Sequence, residues 1–247
     1  MSEEKEMKVI LNGAAGRMGT VLRRMIHDGV KDSTLAAAVD FTGGEFLASV
    51  NDYYGEADVI IDFSNHVAAP TVATYAVSRN LPLVLCTTGL TEDEKAAVVK
   101  ASESVPVFMS ANMSLGVALL VELAKKAASC FPEANIEIVE CHHNRKLDAP
   151  SGTAVMLFDA IKEVRPDAVR QDGRSGMCPR TADEIGMHAL RMGNETGMHE
   201  VWVATGNETI TLRHKAESRD IFAEGALAAA QYLCGKQPGL YSMRDLI

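Results

Sequence analysis

The chain opens with a glycine-rich turn set between an apolar run and an amphipathic helix. Short apolar strands then alternate with helices, until the rhythm gives way near residue 115 to a longer helix and later to two alternating strands. Together these predict an α/β protein: a Rossmann-type doubly wound parallel sheet with a second α+β domain. The expected division is residues 1–114 plus 220–247 for the first domain and 115–219 for the second.

Residues 7–12 (MKVILN) read as the first strand. Residues 20–29 (TVLRRMIHDG) read as a helix, with Val21, Leu22, Met25 and Ile26 at helical spacing and Gly29 as its stop. A strand is expected at 35–40 and a stronger one at 57–64 (ADVIIDFS), followed by a helix over HVAAPTVATYAVSRN. LPLVLCTTG (81–89) is a further strand, and VPVFMS (105–110) another. Between them TEDEKAAVVKASES reads as a helix whose first-turn carboxylates meet the positive end of its dipole. SLGVALLVELAKKAASCF then reads as a longer helix, ANIEIVEC as a strand and TAVMLFDAIKEV as a helix. Residues 170–199 read as a polar, glycine-rich segment, followed by two antiparallel strands at EVWVAT and ETITLRHKA. The closing helix, DIFAEGALAAAQYL, is expected to return to the first domain.

A length of 247 residues suits one large domain or two modest ones. With 24 Lys and Arg against 33 Asp and Glu the net charge is −9, which disfavours nucleic acid or an anionic membrane as the main partner. The five cysteines are scattered, odd in number and free of any CxxC pair, so neither a disulfide framework nor a metal site is expected. The charged N-terminus MSEEKEMK runs straight into a strand, and no apolar run approaches the ~18 residues of a spanning helix. A cytoplasmic protein is expected.

Gly13, Gly16 and Gly19 stand in GxxGxxG spacing between a strand and a helix. Such glycines allow a tight turn, close approach of backbone to a pyrophosphate, and close packing of helix on strand, with helix amides facing the anion. Asp40 ends the next strand about 20 residues further on, where a carboxylate holds an adenosine ribose hydroxyl. Phe41 follows it where an NADP site often has arginine, which leans the choice to NADH, while Arg17 is available for a 2′-phosphate. Thr87, Thr88 and Gly89, and Ser110, Ala111 and Asn112, lie at two further strand ends and suit a nicotinamide pocket.

In ECHHNRKLDAPSGTA (140–154) His142 and His143 end a strand and so point to opposite faces, one suited to general acid work and the other to substrate. Lys146 offers a cation or a proton. Ser151, Gly152 and Thr153 open a helix and offer amides and a hydroxyl to an anion such as a carboxylate. Adjacent histidines lack the i,i+4 helical spacing of a metal pair. The residues by themselves leave open an oxidoreductase of an aldehyde or hydroxy acid, including a thioester route through Cys141 beside His142, and a nucleotide sensor without turnover.

The combination of VILNGAAGRMG, LCTTGL, SANMSLGV, ECHHNRKLDAPSGTA and GLYSMRDLI resembles the 4-hydroxy-tetrahydrodipicolinate reductase (dihydrodipicolinate reductase) family over nearly the whole length. That resemblance implies a dinucleotide-binding Rossmann domain and a substrate-binding and oligomerisation domain. It also implies NADH or NADPH as cofactor, a cyclic dicarboxylate substrate, a homotetramer, and a place in lysine and diaminopimelate synthesis. It implies Gly13, Ala14, Ala15, Gly16, Arg17 and Met18 at the cofactor pyrophosphate and Asp40 at the ribose. Cys86, Thr87 and Thr88, with Ser110, Ala111, Asn112 and Met113, would flank the nicotinamide. His142 matches the family's proton donor or acceptor, Lys146 its proton donor, and His143, Gly152 and Thr153 its substrate-binding positions. Cys86 stands where the family loop usually has glycine.

Overall fold

The computed structural model describes residues 6–247, which divide into two compact units: residues up to Leu115 with Asp220–Ile247, and Gly116–Arg219. The first unit is built on a six-stranded sheet of β1 (Met7–Asn12), β2 (Ser33–Val39), β3 (Val59–Asp62), β4 (Leu83–Leu85), β5 (Pro106–Met109) and β11 (Gly239–Tyr241). Its order is β11-β5-β4-β3-β1-β2 and every pair is parallel. The residues of β3 and β4 are all buried, as strands covered on both faces must be. Their neighbours α1 (Arg17–His27), α2 (Ala69–Arg79), α3 (Glu92–Ala101) and α6 (Asp220–Leu233) complete the unit.

Three of these helices are delimited by local chemistry. In α1 the buried Leu22, Met25 and Ile26 form one face, and Gly29 takes a positive φ just beyond its end. Pro70 sits in the first turn of α2, where a missing N–H costs nothing, and Asn80 caps the end in the left-handed region. Thr91 and Glu94 form a capping box at the start of α3. The closing helix α6 packs on β3, β4 and β5.

The second unit carries a mixed sheet ordered β10-β9-β6-β8-β7, from β6 (Asn135–His142), β7 (Val169–Asp172), β8 (Glu184–Arg191), β9 (Met198–Ala204) and β10 (Thr209–Lys215). Two helices, α4 (Leu115–Cys130) and α5 (Gly152–Lys162), supply Leu120, Val121, Ala124, Leu157 and Ile161 to a core shared with Ile136, Ile138, Val201 and Val203. Here the structure corrects one expectation. The segment 170–199 contains β7 and β8, and β8 pairs in parallel with β6 at the middle of the sheet. Both strands were hidden for physical reasons: β7 is a polar edge strand, and in β8 Gly186 leaves room for the Glu137 side chain.

Candidate active site

The register of the second sheet assembles a polar cluster at the C-terminal end of β6. Side chains two apart on a strand share a face, so Glu140 and His142 lie together. The antiparallel pairing sets Glu140 opposite His199 of β9, and the parallel pairing sets His142 opposite Arg191 of β8. Glu140, only 1% exposed, is the hub. Its Oε2 accepts from His142 Nδ1 at 2.6 Å and from Arg191 Nη1 at 2.8 Å. Its Oε1 accepts from Arg191 Nη2 at 2.8 Å and from the Ser151 amide at 3.1 Å.

This arrangement fixes the chemistry of His142. With Nδ1 donating to a carboxylate, Nε2 is left as the atom able to hold or release a proton. A side chain at position 197 would bring its Cβ within 3.1 Å of that Nε2, so Gly197 keeps the space beside it open. The His199 ring stands edge-on to His142, with centroids 5.2 Å apart and planes at 73°. His199 Nε2 in turn lies 2.9 Å from Ser151 Oγ, which also accepts from the Ala154 amide as the N-cap of α5.

Electrostatics follow from burial and pairing. Burial alone would raise the Glu140 carboxyl, but hydrogen bonds from His142 and Arg191, and their charges, hold it at about 2. Burial, reinforced by the charge of His142, pushes His199 down to about 3, so it stays neutral. His143 is also lowered, by burial and then by the charges of Arg145, Arg219, His142 and Lys146. Those cations make the surroundings of His143 positive in a chain whose net charge is −9. Lys146 Nζ donates to Asp148 Oδ1 at 2.8 Å, and Arg191 Nη2 donates to the Asp148 carbonyl at 2.7 Å, tying the lysine's loop to the Glu140 pair. Burial and nearby carboxylates raise the Cys141 thiol, the direction opposite to that which favours a thiolate nucleophile.

The turn expected to offer Ser151, Gly152 and Thr153 to an anion does receive one, but the anion is the protein's own Glu140. The Ser151 amide and hydroxyl are both engaged within the protein. Gly152 and Thr153 remain at the start of α5, and Gly152 has open space about its Cα. Glu140, Arg191, His199 and Arg219 had no role in the sequence reading. Strand alternation counted back from His142 points to Glu140; Arg191 lies in the stretch 170–199, whose polar, glycine-rich composition gives no strand signal.

In the first unit, Gly13, Gly16 and Asp40 line a cleft of about 680 Å³ together with Phe41, Ser64, Asn65, Val67 and Thr71. A Cβ on Gly13 would run into the Phe63 carbonyl and one on Gly19 into the Gly13 carbonyl, while Gly16 meets only the Gly13 oxygen at 3.3 Å. A tight turn, an open middle glycine and close helix packing are the cradle a dinucleotide phosphate needs, so the residues fit that group. Ala14 and Met113 are buried and can offer only backbone. Ala15, Gly16 and Arg17 are exposed at the start of α1. Asp40 accepts from the Ala15 amide at 3.0 Å and from Thr42 N and Oγ1 at 3.1 and 2.9 Å. Burial opposes these bonds, yet they hold its carboxyl below the usual range. Cys86 to Thr88 and Ser110 to Met113 follow β4 and β5 at the same edge of the sheet. The Cys86 thiol is buried and pushed well up by that burial and by Asp62.

The family model described as "Dihydrodipicolinate reductase, N-terminus" matches residues 7–113, and that described as "Dihydrodipicolinate reductase, C-terminus" matches residues 116–247. The chain belongs to the dihydrodipicolinate reductase family. It is 43% identical over 251 residues to the 4-hydroxy-tetrahydrodipicolinate reductase of Caldanaerobacter subterraneus subsp. tengcongensis, covering 98% of each chain. Against the enzyme of the same name from Clostridium novyi it is 41% identical over 247 residues, covering 97% of this chain and 98% of the relative. A dipicolinate-bound dihydrodipicolinate reductase from Paenisporosarcina sp. TG-14 shares the fold, with a TM-score of 0.81 at 22% identity over 98% of this chain and 100% of the other. Among the described residues no cluster of metal-ligating side chains occurs and no helix is long and apolar enough to cross a membrane. The histidine–lysine segment and the cluster around Glu140 both lie within the residues matched by the C-terminal model.

Proposed function

We propose that the chain is a 4-hydroxy-tetrahydrodipicolinate reductase, reducing its cyclic dicarboxylate substrate with NADH or NADPH and loss of water, as a step of lysine and diaminopimelate synthesis. Family membership along both units supports the activity. The observation that carries the mechanism is the His142–Glu140–Arg191 array, which orients one imidazole and leaves its Nε2 for proton transfer.

Loss of the 4-hydroxyl as water leaves a conjugated imine. The glycine loop, Asp40 and the loops after β4 and β5 would hold the nicotinamide cofactor, whose bound form would provide the hydride that C4 needs. Electron density then collects on the ring nitrogen side, and one proton must be delivered to close the balance. His142 Nε2 manages the proton and Lys146 donates it, as groups positioned for general acid catalysis do. His143, whose Nδ1 is buried without a partner in the protein, takes the substrate with Gly152 and Thr153. The cations around His143 favour a dianion at short range, where preorganised charge counts most.

The homotetramer and cytoplasmic setting expected of the family belong to the same proposal. The sheet face of the second unit away from α4 and α5 supports the former, because it exposes two large apolar side chains, Leu190 and Trp202, suited to burial against another copy. The test of the activity is an assay with freshly generated 4-hydroxy-tetrahydrodipicolinate, following consumption of each nicotinamide cofactor. Turnover is expected with both; tight cofactor binding without turnover would overturn the proposal in favour of a sensor.

A further inference from the structure

Asp62 ends β3, the strand between β1 and β4, and its carboxylate is wholly buried. Every bond it accepts comes from the loop edge of the sheet. Oδ1 takes Asn12 Nδ2 at 2.7 Å, from the residue before the glycine loop, and Ser64 Oγ at 2.6 Å with Ser64 N at 3.3 Å. Oδ2 takes Thr87 Oγ1 at 2.7 Å, from the loop after β4. Asn12 Nδ2 also reaches Ser64 Oγ at 3.0 Å, closing a ring of polar side chains across three strand ends. The two residues after Asp62 also touch the glycine loop, since Gly13 packs on the Phe63 and Ser64 backbone too closely for a Cβ.

A buried carboxylate is a costly way to hold strands that backbone hydrogen bonds already pair. What backbone pairing does not define is the path of each loop beyond its strand. We propose that Asp62 is a positioning residue for the dinucleotide, fixing the loops of residues 13–18 and 86–88 at one spacing so that the cofactor finds its site preformed. This rests on the reading of those loops as cofactor-binding. Preorganisation of this kind appears as affinity, because a loosened site must be ordered at the cofactor's expense.

The test is direct titration with NADH, followed by NADH fluorescence, on wild type, Asp62→Asn and the exchange variant Asn12→Asp/Asp62→Asn. In Asp62→Asn an amide nitrogen faces donors, so NADH binding should weaken by about tenfold or more, the effect of losing a charge-assisted bond. KM for NADH should rise with it, while kcat and the KM for the cyclic substrate stay within about threefold. The exchange variant restores donor to acceptor across the 12–62 bond and should recover most of the affinity. Unchanged NADH binding in Asp62→Asn, or a loss spread equally over kcat and both KM values, overturns the proposal. Should Asp62→Asn not fold, Asp62→Ser, whose short side chain cannot span the donors of Asn12, Ser64 and Thr87, takes its place, and unaltered NADH affinity in it overturns the proposal equally. Failure of wild type to bind NADH would instead sink the reading of the loops themselves.

Discussion

Arg191 grips Glu140 through both terminal nitrogens, each at 2.8 Å, and Glu140 spends its remaining capacity on His142 and Ser151. Removing one member of a buried pair strands the other's charge, at a typical cost of about 3–5 kcal/mol. Arg191→Met should therefore destabilise the protein by about that much in denaturant unfolding. The double variant Glu140→Gln/Arg191→Met should be less unstable than the single one. Additive losses would show that the two do not act as a pair.

His142→Ala should lower kcat by about 10²–10⁴-fold, the usual contribution of a positioned acid or base. NADH affinity should hardly change, because the ring's partners all lie in the second unit. Steady-state kinetics beside NADH titration reads both, and near-normal kcat would remove His142 from the mechanism.

Lys146 can be anchor or proton donor, and arginine separates the two, since it keeps the charge but holds its proton. Lys146→Arg is expected to fail almost as badly as Lys146→Ala in kcat. A Lys146→Arg enzyme with wild-type kcat and only a raised KM would leave Lys146 as an anchor.

Stability should fall with acid in two stages. His199 sits at about 3 against an ordinary 6.5, so below about pH 6.5 the unfolded chain binds a proton that the folded one refuses. Glu140, at about 2 against 4.5, contributes stability that is present above about pH 4.5 and lost as pH falls toward 2. Unfolding free energies measured from neutral pH downward should decline first through His199, by up to about 1.4 kcal/mol per unit. His199→Gln should make that first stage shallower, leaving the contributions of His143 and His214, whose burial also lowers them, and should leave the second stage unchanged. A wild-type profile level between about pH 6.5 and 5 would contradict the assignment.

NADH should serve at least as well as NADPH. Asp40 is held ionised by its hydrogen bonds and would repel a 2′-phosphate, and Phe41 beside it is 87% exposed at the cleft and brings no cation. Arg17, exposed at the start of α1, should keep the preference modest. A kcat/KM ratio favouring NADPH by more than about tenfold would refute this.

The parallel sheet was readable because β3 is apolar up to its final Asp62, β4 is apolar throughout, and α1, α2 and α3 each carry a stop or cap: Gly29, Asn80, Thr91. The edge strand β11 and the polar β7 escaped because edges need little apolar surface. At the site, the histidine–lysine cluster was visible as a local motif. Its support was not, because Arg191 reaches Glu140 only through the β6–β8 register, and His199 faces Glu140 only through the β6–β9 register. Sequence proximity shows who sits on a loop; pairing across a sheet shows who holds it.

The excursion of the chain out of the first unit at Leu115 and back at Asp220 sets an order in time. A ribosome finishes β1 to β5 long before it makes α6, whose seven buried residues cover that sheet. The nascent nucleotide unit must wait, with an apolar face uncovered, while the whole second unit is synthesised. The part begun first is thus the last to close, and during that interval a chaperone would find its binding surface on β3, β4 and β5.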